Sequence, residues 1–369
     1  MCSLLQIEDY LVQPAPFISP IKWHLGHTSW FFEEFILTKL PEYNRYNARF
    51  NFLFNSYYES KALGGKATNR SFSRPSLVAI QGYREHVNAA VKQHLPRIIE
   101  KYLYSFELGL LHEEQHQELM LTGIKYLLGH NLFRPDYATL EIKPTVQPQP
   151  SGVKPWCIVK PGIHQIGRSK TKSLGFDHEY PRHARFIHGA KVSRYNVTNG
   201  EYLEFIEDGG YQNPLLWLSD GWTWRKEQNI QHPLYWQQEK DGLYEYTLTG
   251  YHPLNPKRVL MHVSYYEAAA YAKWRKLRLP TEFELEITYP ELARGIVWDW
   301  TSSPYLAYPG YVEPNDETTE YNAKFMVNRY VLRGGCLATP QDHVSTTYRN
   351  FYRPADRHHF AGIRLASDG

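Results

Sequence analysis

Residues 108–121 read LGLLHEEQHQELML, and how this stretch is read decides what the chain is built to do. The stretch falls within a helical pattern that runs to about Gly129. His112 and His116 stand at i and i+4, so both imidazoles leave one helix face, and two imidazoles at that spacing can share a metal ion. HEEQH also satisfies the H-E-x-x-H pattern of zinc hydrolases, in which the glutamate beside the first histidine, here Glu113, serves as base. A zinc protease needs a third ligand as well, often downstream, and no H-x-x-G-x-x-H continuation follows Glu118.

The third ligand is therefore sought upstream. WHLGH, residues 23–27, places His24 and His27 three apart on the first long periodic segment. A helical bundle can bring that face against the one carrying His112 and His116, and metal sites in bundles are assembled in this way. His27 reads as the ligand and His24 as a helix-surface histidine. Three imidazoles leave coordination positions open, which suits catalytic zinc and equally suits non-heme Fe(II).

Around this motif the chain divides in two. Residues 1–143 carry the long helical patterns. A helix is expected from Ser19-Pro20 to about Leu40, a second after Arg74-Pro75, and a third from near Pro96 to about Gly129. With a shorter helix these make a four-helix bundle. Residues 144–155 are a proline-rich linker. Residues 156–369 change style, with short apolar runs, many Gly and Pro, and one amphipathic helix in SYYEAAAYAKWRKL at 264–277. The expected class is α+β in two domains.

Composition bounds the function. At 369 residues there is room for two cores. A net charge of +3 gives no electrostatic case for nucleic acid. The 3 cysteines, Cys2, Cys157 and Cys336, are too scattered for a disulfide framework. The first residues carry Glu8 and Asp9 and lack the basic start of a signal peptide. No apolar run approaches spanning length. The expectation is a cytoplasmic protein acting on small molecules, without membrane or protein partners.

Several stretches together resemble a known family. SPIKWHLGHTSWFFEEFIL, FNSYYE, SRPS and LGLLHEEQHQELMLTGIKYLL are similar to the DinB-type domain of ergothioneine-biosynthesis sulfoxide synthases of the EgtB type. YNVTNGEYLEFIEDGGY, HVSYYEAAAYAKWRKLRLPTEFELE, VWDWTSSPYLAYPGY and the segment from FMVNRYVLRGGC to FAGIRLA resemble its formylglycine-generating-enzyme-like, C-type-lectin-like domain. The resemblance runs in order over nearly the whole chain. It implies an Fe(II)- and O2-dependent enzyme that joins a thiol sulfur to C2 of the hercynine imidazole as a sulfoxide. The family's iron ligands fall on His27, His112 and His116, and its imidazole-contacting glutamine on Gln115.

The resemblance also nominates a wider set. A phenol beside the iron can supply a proton or an electron; Tyr57 and Tyr58 of NSYYE are the first choice and Tyr308 the second. Aromatic faces suit a trimethylammonium group, with Trp298, Trp300, Phe351 and Tyr352 as candidates and Asn350 in the hercynine-binding pattern. Arginine forks suit the donor's carboxylates; Arg70 and Arg74 are candidates, with Arg349 and Arg353 as alternatives. RPADRHHFAGIR and the cysteine in RGGCLATP depart from the common pattern near the donor pocket. Cysteine, γ-glutamylcysteine and a selenium donor all stay open, as does a DinB-type metal-dependent thiol transferase. Formylglycine generation itself needs a cysteine pair, and Cys336 has no neighbouring partner in sequence.

Overall fold

The computed structural model describes residues 2–55, 70–139, 145, 155–169, 174–313 and 322–369. Tyr57 and Tyr58 lie outside the described residues, as does most of the 144–155 segment. The chain forms two compact units, the first comprising Met1–Phe133 and the second Arg134–Val312 continued by Asn322–Gly369.

The first unit is helical. Helix α1 spans Ile21–Phe35, α2 Arg49–Phe54 and α3 Leu77–Gly129. Helix α1 is buried on almost every side, including Lys22, His24, His27, Thr28 and Glu33. Buried polar groups need partners, and these have them. Glu33 accepts from Tyr43 Oη at 2.5 Å, Tyr83 Oη at 2.7 Å and the Tyr46 amide at 3.1 Å. Lys22 Nζ donates to the carbonyls of Phe72 and Pro75. In the final stretch of α3, His112, His116 and Met120 form a buried row at four-residue intervals, and this part of the helix meets α1 closely. Gly109 permits the approach: a Cβ there would sit 2.8 Å from the Phe32 ring and 3.2 Å from Phe31.

Two helix boundaries differ from expectation. The α1 cap is Pro20, not Ser19; the Ser19 hydroxyl instead accepts from Arg70 Nη1 at 2.7 Å. Pro96 lies inside α3 and starts no new helix. The backbone leaves helical geometry at Tyr102, with φ −133 and ψ 26, so α3 is two arms joined at a kink. Its start follows the sequence, with Ser76 as N-cap accepting the Ala79 amide at 3.2 Å.

The second unit is α+β. Its strands are β1 Trp156–Val159, β2 Gly162–Ile166, β3 His183–Ile187, β4 Ala190–Asn196, β5 Trp236–Glu239, β6 Gly242–Thr247, β7 Gly250–Pro253, β8 Trp298–Pro304, β9 Tyr330–Arg333, β10 Asn350–Tyr352, β11 Ala361–Gly362 and β12 Arg364–Asp368. They form small sheets in the orders β1-β4-β12, β10-β9-β8-β11, β5-β6-β7 and the pair β2-β3. Helices α4 Asn199–Glu207, α5 Ser219–Glu227, α6 Tyr265–Trp274 and α7 Glu282–Thr288 complete it. Helix α6 is the expected amphipathic one; Ser264 and Glu267 close a capping box at its start. Helix α7 packs Phe283 and Leu285 into a core shared with Val159, Ile166, Val192 and Tyr308. Together the units give the two-domain α+β fold that the sequence leads one to expect. Among the described residues, no helix is long and apolar enough to cross a membrane.

Candidate metal centre

His27 of α1 and His112 and His116 of α3 converge. All three are buried, and one ligand nitrogen from each lies within 4.8 Å of the others. His112 Nε2 and His27 Nε2 are 3.1 Å apart. Metal–nitrogen bonds of about 2.1 Å at angles between about 90° and 109° place ligand nitrogens about 3.0–3.4 Å apart. The His27–His112 spacing therefore fits a shared cation, with His116 within reach of it.

The rings are held by their surroundings. His27 Nδ1 lies 2.6 Å from the Phe54 carbonyl. A carbonyl only accepts, so Nδ1 carries the proton and Nε2 keeps its lone pair for the centre. Trp23 and Trp30 both stack on His27, with centroids 4.4 Å and 5.4 Å away and rings within 16° of parallel. Phe31 stacks on His112 at 4.6 Å. Burial in this apolar setting depresses the imidazoles. His112 is lowered to about 3, and His27 and His116 fall well below the ordinary histidine range, burial being the main cause and the neighbouring rings adding to it. The three imidazoles are thus neutral, as metal coordination would require.

Glu113 does not serve the centre as a base. Its carboxylate is gripped by Arg84, with Nη2 at 2.5 Å from one oxygen and Nη1 at 3.4 Å from the other, while the same Nη1 donates to Thr28 at 2.8 Å. The hydrolase reading of HEEQH thereby loses its catalytic glutamate.

His24 corrects the expectation of a helix-surface residue. It is 4% exposed, and its Nδ1 lies 2.7 Å from His116 Nδ1. Because α1 is sheathed by the rest of the unit, position 24 has no solvent face to occupy.

The other sequence candidates separate. Gln115 is half-buried on α3 beside His116. Arg70 is half-buried with its guanidinium 4.1 Å over the Trp23 ring, and its charge contributes to lowering His24, His27 and His116. Arg74 is exposed and donates to the Ser73 carbonyl. In the second unit, Arg349 is 1% exposed; Nε and Nη2 grip Glu282 at 2.8 and 3.0 Å, and Nη1 and Nη2 donate to the carbonyls of His178 and Leu306. Its fork is committed inside the fold, which removes it as a substrate-carboxylate binder. Arg353 is exposed. Trp298 and Trp300 are fully buried, so neither presents a face to a cation. Tyr308 is likewise core, donating to Glu282 at 3.0 Å. Phe351 is half-buried and stacked on Tyr305 at 4.2 Å, next to Asn350, whose Oδ1 accepts the Phe351 amide. Tyr352 stacks on His359 at 3.8 Å.

Comparison with known proteins gives the chain a family. Residues 143–289 match the model of the sulfatase-modifying factor enzyme 1-like domain. The chain is 30% identical to the hercynine oxygenase of Mycobacterium tuberculosis, over 72% of each chain. The chain belongs to the hercynine oxygenase family. The Mycolicibacterium smegmatis hercynine oxygenase is 28% identical over 96% of this chain and 92% of its own, and that of Mycolicibacterium thermoresistibile is 29% identical over 76% and 73%. Among the described residues Cys157 and Cys336 are both buried and neither is in a disulfide.

The sequence reading missed the aromatic sheath of His27 and the clamp on Glu113. The first had a signal, since Trp23 and Trp30 stand four before and three after His27 on one helix. The second had none, because Arg84 lies on the far arm of α3.

Proposed function

We propose that this chain is a non-heme Fe(II)- and O2-dependent oxygenase that joins the sulfur of a thiol, cysteine or γ-glutamylcysteine, to C2 of the hercynine imidazole, forming a sulfoxide in ergothioneine biosynthesis. The reaction balances as thiol plus C2–H plus O2 giving sulfoxide plus water. The observation that carries the reading is the convergence of His27, His112 and His116 with Glu113 turned away to Arg84. Three neutral nitrogen ligands leave iron open positions for substrates. Iron here would supply the redox chemistry with O2 that no side chain can.

The chain's own residues would bind and orient. Gln115, beside His116, would hydrogen-bond the hercynine imidazole. Arg70 would add positive charge for a donor carboxylate; its seat on Trp23 keeps the guanidinium beside the ligand-bearing face of α1. Asn350 and Phe351 would contribute to hercynine binding. Tyr57 and Tyr58 remain the proposed proton or electron source.

The test is product analysis by mass spectrometry. Hercynine is offered a mixture of cysteine, γ-glutamylcysteine and a selenosugar with Fe(II), once in 18O2 and once without oxygen. A C2 sulfoxide carrying one 18O, absent anaerobically, is the expected result. A sulfur–carbon product formed equally without O2 overturns the reading in favour of thiol transfer.

A further inference from the structure

We propose that His24 is the positioning residue of the metal centre: it accepts the Nδ1–H of His116 and so turns His116 Nε2 toward His27 and His112. This rests on the reading that the three histidines hold a metal ion, and it adds a residue to that site.

The direction of the hydrogen bond follows from proton counting. The two Nδ1 atoms are 2.7 Å apart, and the rings meet edge to face with centroids separated by 4.9 Å at 62°. A neutral imidazole has one N–H. With its Nδ1 turned to His24, His116 can offer a metal only Nε2, and that requires its own proton on Nδ1. That Nδ1–H then donates, so His24 Nδ1 accepts and the His24 proton sits on Nε2.

The same tautomer is imposed on His27 by different means, the Phe54 carbonyl at 2.6 Å. Two ligands from two helices are thus set alike, one by a backbone oxygen and one by a side chain that could have been something else. His24 is the cross-helix element of the pair: it sits on α1, three residues from one ligand, and orients a ligand on α3. Ser19 takes the Arg70 Nη1 on its hydroxyl, Arg70 lies over Trp23, and Trp23 stacks on His27. Arg70 thus reaches His27 through Trp23, while His24 reaches His116 directly.

Two variants separate an acceptor from a space-filler. His24→Asn keeps an oxygen that can accept from His116; His24→Leu fills the space and accepts nothing. Metal-free protein is titrated anaerobically with Co(II), and both affinity and the visible ligand-field spectrum are read. His24→Leu is expected to weaken Co(II) about 10- to 100-fold and to alter the spectrum, while His24→Asn stays within a few-fold of the parent. Parent-like binding by His24→Leu, or equal weakening in both variants, overturns the proposal, the latter assigning the loss to packing. Should the parent chain take up no Co(II), the metal reading falls and the proposal with it; should the parent bind and only the variant pattern fail, the proposal alone falls. A measurement that needs no variant is the long-range 15N–1H correlation of histidine-labelled protein. His24 protonated on Nε2 and His116 on Nδ1 are expected; His24 protonated on Nδ1 overturns the assignment.

Discussion

A glutamate beside a metal-binding histidine acts as a base only if its carboxylate faces the metal, and Glu113 faces Arg84. Glu113→Gln should therefore keep the parent's metal stoichiometry and most of its oxygenase rate. Its stability cost should be about 1 kcal/mol or less, since the pair is partly solvated, with side chains 31% and 18% exposed; elemental analysis and a denaturant melt check both. Arg349 is the opposite case. Removing it strands the Glu282 carboxylate, 2% exposed, without its partner, so Arg349→Ala should cost about 3–5 kcal/mol. A denaturant melt reads the loss, and Co(II) stoichiometry in the folded fraction should stay unchanged. A substrate-binding arginine would show the reverse pattern. The buried imidazoles set a pH signature. His24 and His112 titrate in the fold at about 3, below the unfolded value near 6.5. Between those limits the unfolded chain binds more protons, so metal-free protein loses stability as pH falls below about 6.5 and gains none above it. Melting temperatures of metal-free protein from pH 8 to pH 4 test the sign. At this scale spacing led to the expectation that His112 and His116 share a helix face and meet an upstream histidine, and the three imidazoles of His27, His112 and His116 do lie together. His24 was misread because spacing says nothing about how completely a helix is enclosed. Arg349 was misread because its partner lies 67 residues away in the chain.

At the scale of elements, the centre depends on how closely α1, α2 and α3 approach. Gly26 lies against the Phe54 ring, and a Cβ there would overlap it. Phe54 is also the residue whose carbonyl holds His27. Gly26→Ala gains up to about 1 kcal/mol in helix propensity but should lose about 1–3 kcal/mol to overpacking. More tellingly, it should weaken Co(II) binding by displacing that carbonyl, which the Co(II) titration would report; parent-like affinity would show that the ring gives way without moving the backbone. Helix starts were readable where a cap is local, as at Ser76 and Ser264. They were not where a distant group competes: Ser19 looks like a cap, yet its hydroxyl is taken by Arg70, 51 residues on. Pro96 looks like a boundary because proline removes an amide donor, but the surrounding turns carry the helix past it to Tyr102.

Across the whole molecule, the two units have separate cores, and the proposed ligands belong to one of them. Metal removal should therefore act unevenly. Hydrogen exchange after chelation should lose protection in α1 and in α3 around His112–His116, while β4, β8, β9 and the α7 core stay as before. Uniform loss across both units would contradict a centre housed in the first. The two-domain plan was legible from the shift in periodicity after the proline-rich stretch. The second unit's wiring was not, because it is built from short strands joined by long-range pairs such as Arg364–Asp299 and Arg333–Glu286. The most direct measurement is an anaerobic Fe(II) titration of metal-free protein, parent against His27→Ala and His116→Ala. One Fe(II) per chain in the parent, and loss of tight binding in both variants, is the predicted result. Full-affinity uptake by either variant would contradict the three-histidine centre.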